Sequence, residues 1–419
     1  MKVLHLSTFD LRGGAGRGAF RLHRGLIELG VQSCMAVQDR SSDDPTVIGS
    51  ASRLSKLGRE IVSLTDRVPL ALYRSRAAVS FDLQWIGSCS ASLVSKTAPD
   101  LLHLHWVTGG FLRIETLGRF GRPIVWTLRD MWPFTGGCHV SGDCHRYQAE
   151  CGACWQLGST SNRDLTRWVW RRKRRAWRAL DMHLVAPSRW MADSARSSSL
   201  FGDRPIEVIP NGVDLSIFKP LDRGWARQAL GLDPDRRIIL FGAVNALRDS
   251  NKGFVTLQES LLNMAQTGET GLPLLLVFGA SAPAQPRPMG LEARYLGQIG
   301  DETTMALAYN AADLLVVPSR QESFCQTAAE ALACGIPVAA FDATGLRDVV
   351  DHRVNGYLAR PYDASDLADG VRWILAVDRP LEMAQRARHK AERMFDLRLV
   401  ARRYADLYAE ILEDQRRRG

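Results

Sequence analysis

Glu322 and Glu330 sit eight positions apart in a stretch, 318–338, that reads as the end of an apolar run, a short loop and a small-residue helix starting near Cys325 or Gln326. Such a pattern puts both carboxylates at the C-terminal edge of a parallel sheet, where open α/β folds bind ligands and an acid can accept hydrogen bonds from hydroxyl groups. The helix start adds unpaired backbone N–H groups and the positive end of a dipole, which suit a diphosphate. Ala328, Ala329 and Ala331 keep the helix close to both sheet and ligand. Solvated helix acids also occur at this spacing, so the flanking residues must decide.

A second group lies near the N-terminus. Gly13, Gly14, Gly16 and Gly18 follow an apolar strand and open a helix. Gly14, Gly16 and Ala19 satisfy G-x-G-x-x-A, and Asp39 follows where a ribose-binding acid would stand, so an NAD-dependent oxidoreductase is a rival reading. That fingerprint turns directly after its strand, whereas residues 8–13 intervene here, which counts against it. Farther on come His103, His105 and Trp106, and then Arg129, Asp130 and His139. Arg129 can donate hydrogen bonds to a sugar or phosphate but cannot act as a base.

Cys138, Cys144, Cys151 and Cys154 lie within 17 residues and end in Cys-Gly-Ala-Cys. The set suggests a structural zinc that staples an irregular loop, with no open coordination position for chemistry; disulfides or free thiols are the alternatives. Residues 163–178 hold eight basic side chains and one acid, +7 of the chain's +9, so the rest of the chain carries only 9 − 7 = +2. At 100° per residue, Leu165, Val169, Trp170, Ala176, Trp177 and Leu180 share one face, opposite Arg167, Arg171, Arg174, Arg175 and Arg178. That arrangement fits an anionic membrane surface, with a solvated charged face as the plain alternative. Nucleic acid is not expected, because no RNA-binding motif appears and the aromatics lie on the wrong face to stack bases.

These groups need a scaffold. The 419 residues are 46% hydrophobic and 24% charged, enough for two domains with real cores. No run approaches the roughly 18 apolar residues of a membrane span, and the N-terminal run is too short and polar for a secretory signal, so a cytoplasmic location is expected. Strands are expected at 2–7, 33–38, 101–106, 124–128 and 183–187, then, after turn signals at Pro210, Asn211 and Gly212, at 238–244, 273–279, 294–296, 313–318 and 337–341. Helix-compatible sequence separates them, the mark of parallel sheets covered on both faces. The domains are expected at 1–205 and 206–397, with a last helix, 398–419, free to pack back on the first.

Glu322, Glu330 and the following Ala-Leu-Ala-Cys-Gly-Ile-Pro-Val resemble the E-x7-E signature of retaining nucleotide-sugar glycosyltransferases of the GT-B fold, family four. Asn211 to Asp214, Lys252-Gly253 and Asn355-Gly356 fall in the order that family shows. Residues 126–139 resemble a bacterial exopolysaccharide subgroup of the colanic acid type, in which His stands where this chain has Arg129. The resemblance implies an α/β fold of two Rossmann-like domains facing across a cleft. Glu330 would hold the nucleotide ribose and Glu322 the transferred sugar. Backbone groups of Ser323, Phe324, Cys325, Gln326 and Thr327 would meet sugar and diphosphate, and those of Gly297, Gln298 and Ile299 the base. Lys252 and Arg248 would neutralise the diphosphate, and Gly14 would let backbone approach it. On the acceptor side would lie Gly13, His105 and Trp106, with Arg129 and Asp130 beside the reacting sugar. The activity implied is transfer from a UDP- or GDP-sugar to a lipid-linked saccharide at the inner membrane face, with retained configuration and no obligatory metal cofactor. A non-catalytic sugar- or lipid-binding scaffold on the same fold is the alternative.

Overall fold

The structure, a computed structural model, describes residues 1–49, 53–89, 91–242, 249–266, 271–285, 288–378 and 380–418. The chain divides into two compact units, Met1–Pro210 with Val400–Gly419, and Asn211–Leu399.

The first unit holds seven parallel strands: β1 (Lys2–Phe9), β2 (Gln32–Asp39), β3 (Val47–Ile48), β4 (Leu101–Leu104), β5 (Ile124–Thr127), β6 (Met182–Ala186) and β7 (Ile206–Val208). Their order is β3-β2-β1-β4-β5-β6-β7. Its helices are α1 (Gly13–Glu28), α2 (Arg53–Arg67), α3 (Ala91–Thr97), α4 (Leu165–Trp177) and α5 (Arg189–Arg196). Because β7 joins this sheet, the boundary falls after Pro210 and not at 205.

The second unit repeats the plan with β8 (Ile238–Gly242), β9 (Leu274–Phe278), β10 (Ala293–Gly297), β11 (Leu314–Val317), β12 (Val338–Phe341) and β13 (Gly356–Ala359), ordered β10-β9-β8-β11-β12-β13. Around them lie α6 (Arg223–Ala229), α7 (Phe254–Ala265), α8 (Glu302–Ala311), α9 (Gln326–Ala333), α10 (Leu346–Val349), α11 (Ala364–Leu375) and α12 (Pro380–Met394). Strands such as β9, Leu-Leu-Leu-Val-Phe, are buried along their whole length, as sheets covered on both faces require.

The last helix, α13 (Leu397–Arg418), returns to the first unit. Val400, Tyr404, Tyr408 and Ile411 recur at helical spacing and pack on Val3, Leu101, Val125 and Val185, one face of the first sheet.

Both sheets reverse direction of growth at their first strand, between β1 and β4 and between β8 and β11. At such a switch point the loops leaving the two strands part to opposite faces and open a crevice at the C-terminal edge. The glycine-rich segment departs from its expected form. β1 runs on to Phe9 and α1 begins at Gly13, so the intervening loop is Asp10–Arg12, and Gly14, Gly16 and Gly18 lie inside the helix. A Cβ on Gly16 would press on the carbonyls of Phe9 and Asp10 at 3.1 Å, so glycine lets α1 rest on the end of β1.

Candidate functional site

In the second unit the loops after β8 and β11 meet at the switch point. Lys252 ends the first loop, and its Nζ donates to Glu322 Oε1 at 2.7 Å. Desolvation opposes the ammonium, but the Glu322 carboxylate outweighs it and holds the Lys252 pKa above its ordinary value. The pair is not sealed: 24% of the lysine side chain and 15% of the glutamate side chain are exposed, so a ligand can reach both.

Backbone contacts fix this meeting. Asn251 Nδ2 donates to the Gln321 carbonyl at 2.8 Å, and Arg320 N–H donates to the Asn251 carbonyl at 2.8 Å. Gly253 takes φ +68°, and a Cβ there would lie 1.9 Å from the Pro318 carbonyl oxygen, so only glycine allows the approach. A third loop, after β12, holds Glu322 from behind: its N–H donates to Thr344 Oγ1 at 3.0 Å, and its carbonyl accepts Gly345 N–H at 2.9 Å.

Glu330 lies in α9 and is only 3% exposed. Tyr309 Oη, from α8, donates to its Oε2 at 2.8 Å. Burial and the neighbouring carboxylate both raise the Tyr309 pKa, so the phenol stays protonated and donating. Cys325, the residue before α9, has φ +83°, an uncommon conformation for a side-chain-bearing residue, and burial pushes its thiol up to about 12. Between the glutamates, Ser323 to Thr327 form the turn into the α9 N-terminus, where backbone N–H groups gather. Gln326 Oε1 accepts from Asn211 Nδ2 at 3.3 Å. Gly297, Gln298 and Ile299 close β10, with Gln298 Nε2 donating to the Gly279 carbonyl at 2.7 Å. Arg248 lies outside the described residues.

The corresponding residues of the first unit are engaged within the fold. Asp130 accepts from Trp132 N–H on Oδ1 at 2.9 Å, and on Oδ2 from Trp106 Nε1 at 2.7 Å and His139 Nδ1 at 2.6 Å. His139 Nε2 bonds Asp82 Oδ2 at 2.8 Å. Burial alone would lower the His139 pKa, yet the two carboxylates push it up to about 10, so the imidazolium persists and Asp82 is held below the usual carboxylate range. Here Asp130 secures Trp106.

His105 is buried, with Nε2 2.9 Å from His5 Nδ1, and Arg129 reaches its Nδ1 at 3.3 Å. Asp39, the ribose acid of the rival dinucleotide reading, is paired with Arg12 and Arg59, each at 3.1 Å. Gly13, with φ +67°, and the exposed Gly14 form the first turn of α1.

All eight cysteines are free. Cys138, Cys144, Cys151 and Cys154 are neighbours close enough to perturb one another electrostatically. Among the described residues, however, no three of these sulfurs come within 4.8 Å of one another. Tetrahedral zinc with Zn–S of about 2.3 Å needs sulfurs about 3.8 Å apart, so a bound zinc would have to draw these sulfurs together. The group that does meet the 4.8 Å spacing is His5, His103 and His105. His103 spends both nitrogens on Tyr408 Oη and Thr127 Oγ1, and burial lowers the pKa of all three imidazoles. Arg129 adds positive charge beside them, which opposes a cation.

Sequence reasoning did not single out Tyr309, Thr344, Asp82 or Lys173. Lys173 is fully buried on the inner face of α4, its Nζ donating to the Trp132 and Thr135 carbonyls and lying 3.6 Å from the Trp132 ring centre, and burial lowers its pKa well below the ordinary lysine value. Its position between Val169 and Trp177 on the apolar face was the available signal.

Two family descriptions match the chain, Glycosyltransferase Family 4 over residues 12–217 and Glycosyl transferases group 1 over residues 281–394. A D-inositol 3-phosphate glycosyltransferase of Thermobispora bispora is 31% identical over 335 residues, which cover 75% of this chain and 71% of that protein. Among solved structures, sucrose-phosphate synthase from Thermosynechococcus elongatus superposes with a TM-score of 0.70 at 22% identity, covering 99% of this chain and 100% of that one. HepE of Anabaena, solved in complex with UDP-glucose, gives 0.65 at 18% identity, covering 98% and 100%. Both structural likenesses concern the fold.

Proposed function

Because the chain belongs to the group 1, family 4 glycosyltransferases, we propose that it transfers a sugar from a nucleoside diphosphate sugar to a saccharide acceptor with retention of configuration. The observation that carries this reading is the Lys252–Glu322 pair at 2.7 Å on the switch point of the second sheet. It sits at the loop that leads into α9, which carries the buried Glu330.

In this reading Glu330 accepts from the ribose hydroxyls, and Glu322 accepts from hydroxyls of the transferred sugar. The departing diphosphate gathers negative charge, which Lys252 and the α9 N-terminus stabilise because both are already in place before reaction. Glu322 keeps Lys252 protonated and directed until the diphosphate takes its place. The acceptor hydroxyl attacks the anomeric carbon on the face the diphosphate leaves, and the departing phosphate oxygen takes the hydroxyl proton. The acceptor is bound by the first unit, where Trp106 is held by Asp130.

The finer reading is a lipid-linked acceptor in surface-polysaccharide assembly. Its support is the sequence likeness of residues 126–139 and the arginine face of α4, which near an anionic bilayer is worth about 1 kcal/mol per charge. A structural zinc at Cys138, Cys144, Cys151 and Cys154 is a separate proposal; it requires the four sulfurs to draw together, and one zinc per purified chain is the result that supports it. Thermal shift against a panel of UDP- and GDP-sugars tests the donor reading, followed by NMR of the product's anomeric proton. An inverted product would overturn the proposed mechanism, and no shift with any donor would overturn the substrate class.

A further inference from the structure

The helix α2 is built inside out. Its inward side carries Asp66, fully buried, whose carboxylate accepts the backbone N–H groups of Leu83, Gln84 and Trp85 at 2.9–3.2 Å. Arg59 also turns inward, to Asp39 at 3.1 Å. These polar commitments leave the apolar residues outside. Leu57, Ile61 and Leu64 of α2, with Val68 and Leu72 of the following 3-10 helix (Val68–Leu72), are 55–81% exposed. Leu57, Ile61 and Leu64 share one side of α2 at helical spacing, and Val68 and Leu72 extend the exposed apolar surface beyond its end. An exposed apolar stripe rimmed by charge marks a contact surface, not an ordinary solvated face.

The far end of this apolar surface lies near the start of α4, and the inward side of α2 shares a loop with α4. Arg172 of α4 donates to the carbonyls of Leu83 and Gln84 at 3.0 and 2.8 Å, so one short loop is clamped between Asp66 of α2 and Arg172 of α4. Tyr73 Oη, one residue past the stripe, accepts Leu165 N–H at the start of α4. From there the exposed face of α4 presents Trp168, with the Arg172 guanidinium over its ring, and then Arg171, Arg175 and Arg178, which make no ion pair among the described residues.

We propose that the stripe of α2 inserts among the acyl chains of an anionic lipid bilayer while the α4 arginines and Trp168 lie at its headgroups. Amphipathic elements bind interfaces through this pairing of buried apolar area with cationic attraction. The charge also disfavours a second copy as the occupant, since two such surfaces would bring like charges together. The proposal deepens the membrane-facing reading of α4 and rests on it for orientation, while the apolar insertion is a claim of its own.

Co-sedimentation of the full chain with phosphatidylcholine vesicles, and with vesicles containing 30% phosphatidylglycerol, at 0.1 M and 0.5 M NaCl tests both parts. The chain is expected to bind the anionic vesicles at least tenfold more tightly and to keep a salt-resistant fraction. Ile61→Asp with Leu64→Asp should remove that fraction and weaken binding at least tenfold at both salts, with melting unchanged because both side chains are exposed. Arg171→Ser, Arg175→Ser and Arg178→Ser together should remove the anionic preference but keep the salt-resistant part. If the aspartate variant binds as wild type while the serine variant loses binding, insertion is overturned and the α4 reading stands. If wild type shows no anionic preference, the α4 reading fails, and salt-resistant binding that the aspartates abolish would still support insertion. A lipid-free dimer in sedimentation velocity that the aspartates dissociate would replace the bilayer with a second copy and overturn the proposal.

Discussion

The two units share one strand order around the switch point, yet they use its charged residues in opposite ways. In the second unit Lys252 and Glu322 pair while remaining open to a ligand. In the first unit Asp130 and His139 are used up holding loops together, with Asp130 accepting three hydrogen bonds and His139 lying between two carboxylates. The fold supplies a crevice in either case; whether it becomes reactive depends on how many of its polar groups are already satisfied. This contrast supports the proposed placement of the donor chemistry in the second unit, and the polar core of the first holds Trp106.

The largest effect should come from breaking that support. His139→Gln removes the cation between Asp82 and Asp130 and leaves Asp82 with the half-exposed Arg67, at 3.7 Å, as its cation, a loss of about 3–5 kcal/mol for a broken buried pair, read as a lower denaturant midpoint for the first unit. Next, Lys252→Ala should cut turnover by about 10²–10³, the usual cost of removing one preorganised stabilising group, while circular dichroism stays unchanged. If the two variants exchanged phenotypes, the contrast between the units would be wrong.

A smaller effect separates the glutamates. Glu330→Ala should weaken binding of the free nucleotide by at least tenfold more than Glu322→Ala, about 1.4 kcal/mol, in calorimetric titration. Equal losses would contradict the assigned roles. The smallest is a pH effect. His139 has a folded pKa of about 10, above the unfolded value of about 6.5. Its stabilisation is therefore complete below about pH 6.5 and is lost as pH rises through 10. Asp82, held below its ordinary value, works in the opposite sense and loses its contribution on acidification. The melting temperature of wild type should fall at both ends relative to His139→Gln, whose alkaline limb should be flatter.

What was legible in the sequence follows from the range of the interactions involved. Strands such as β8 and β9 are continuous apolar runs and could be read directly, whereas β3 and β7 have only two or three residues and β13, Gly-Tyr-Leu-Ala, opens on a glycine and lacks a run of branched apolar residues. Glu322, Glu330 and Lys252 stood out by local motif. Tyr309 did not, because a tyrosine in an apolar helix reads as core until its hydroxyl is seen to meet Glu330. The Asp82–His139–Asp130 chain joins residues 57 positions apart and left no local signal. The glycine segment reads as a long turn only when β1 is ended at Ser7; Thr8 and Phe9, both strand formers, carry the strand on to the start of α1. The exposed stripe of α2 has the spacing of a buried helix face; only the inward commitment of Asp66 shows that it faces out.

The most direct test of the central claim is release of nucleoside diphosphate from UDP- and GDP-sugars by the intact chain, compared with Lys252→Ala. We expect release from at least one donor by wild type and a loss of at least a hundredfold in the variant. Release from no donor, or equal release by both proteins, would contradict the assignment of donor chemistry to the second unit.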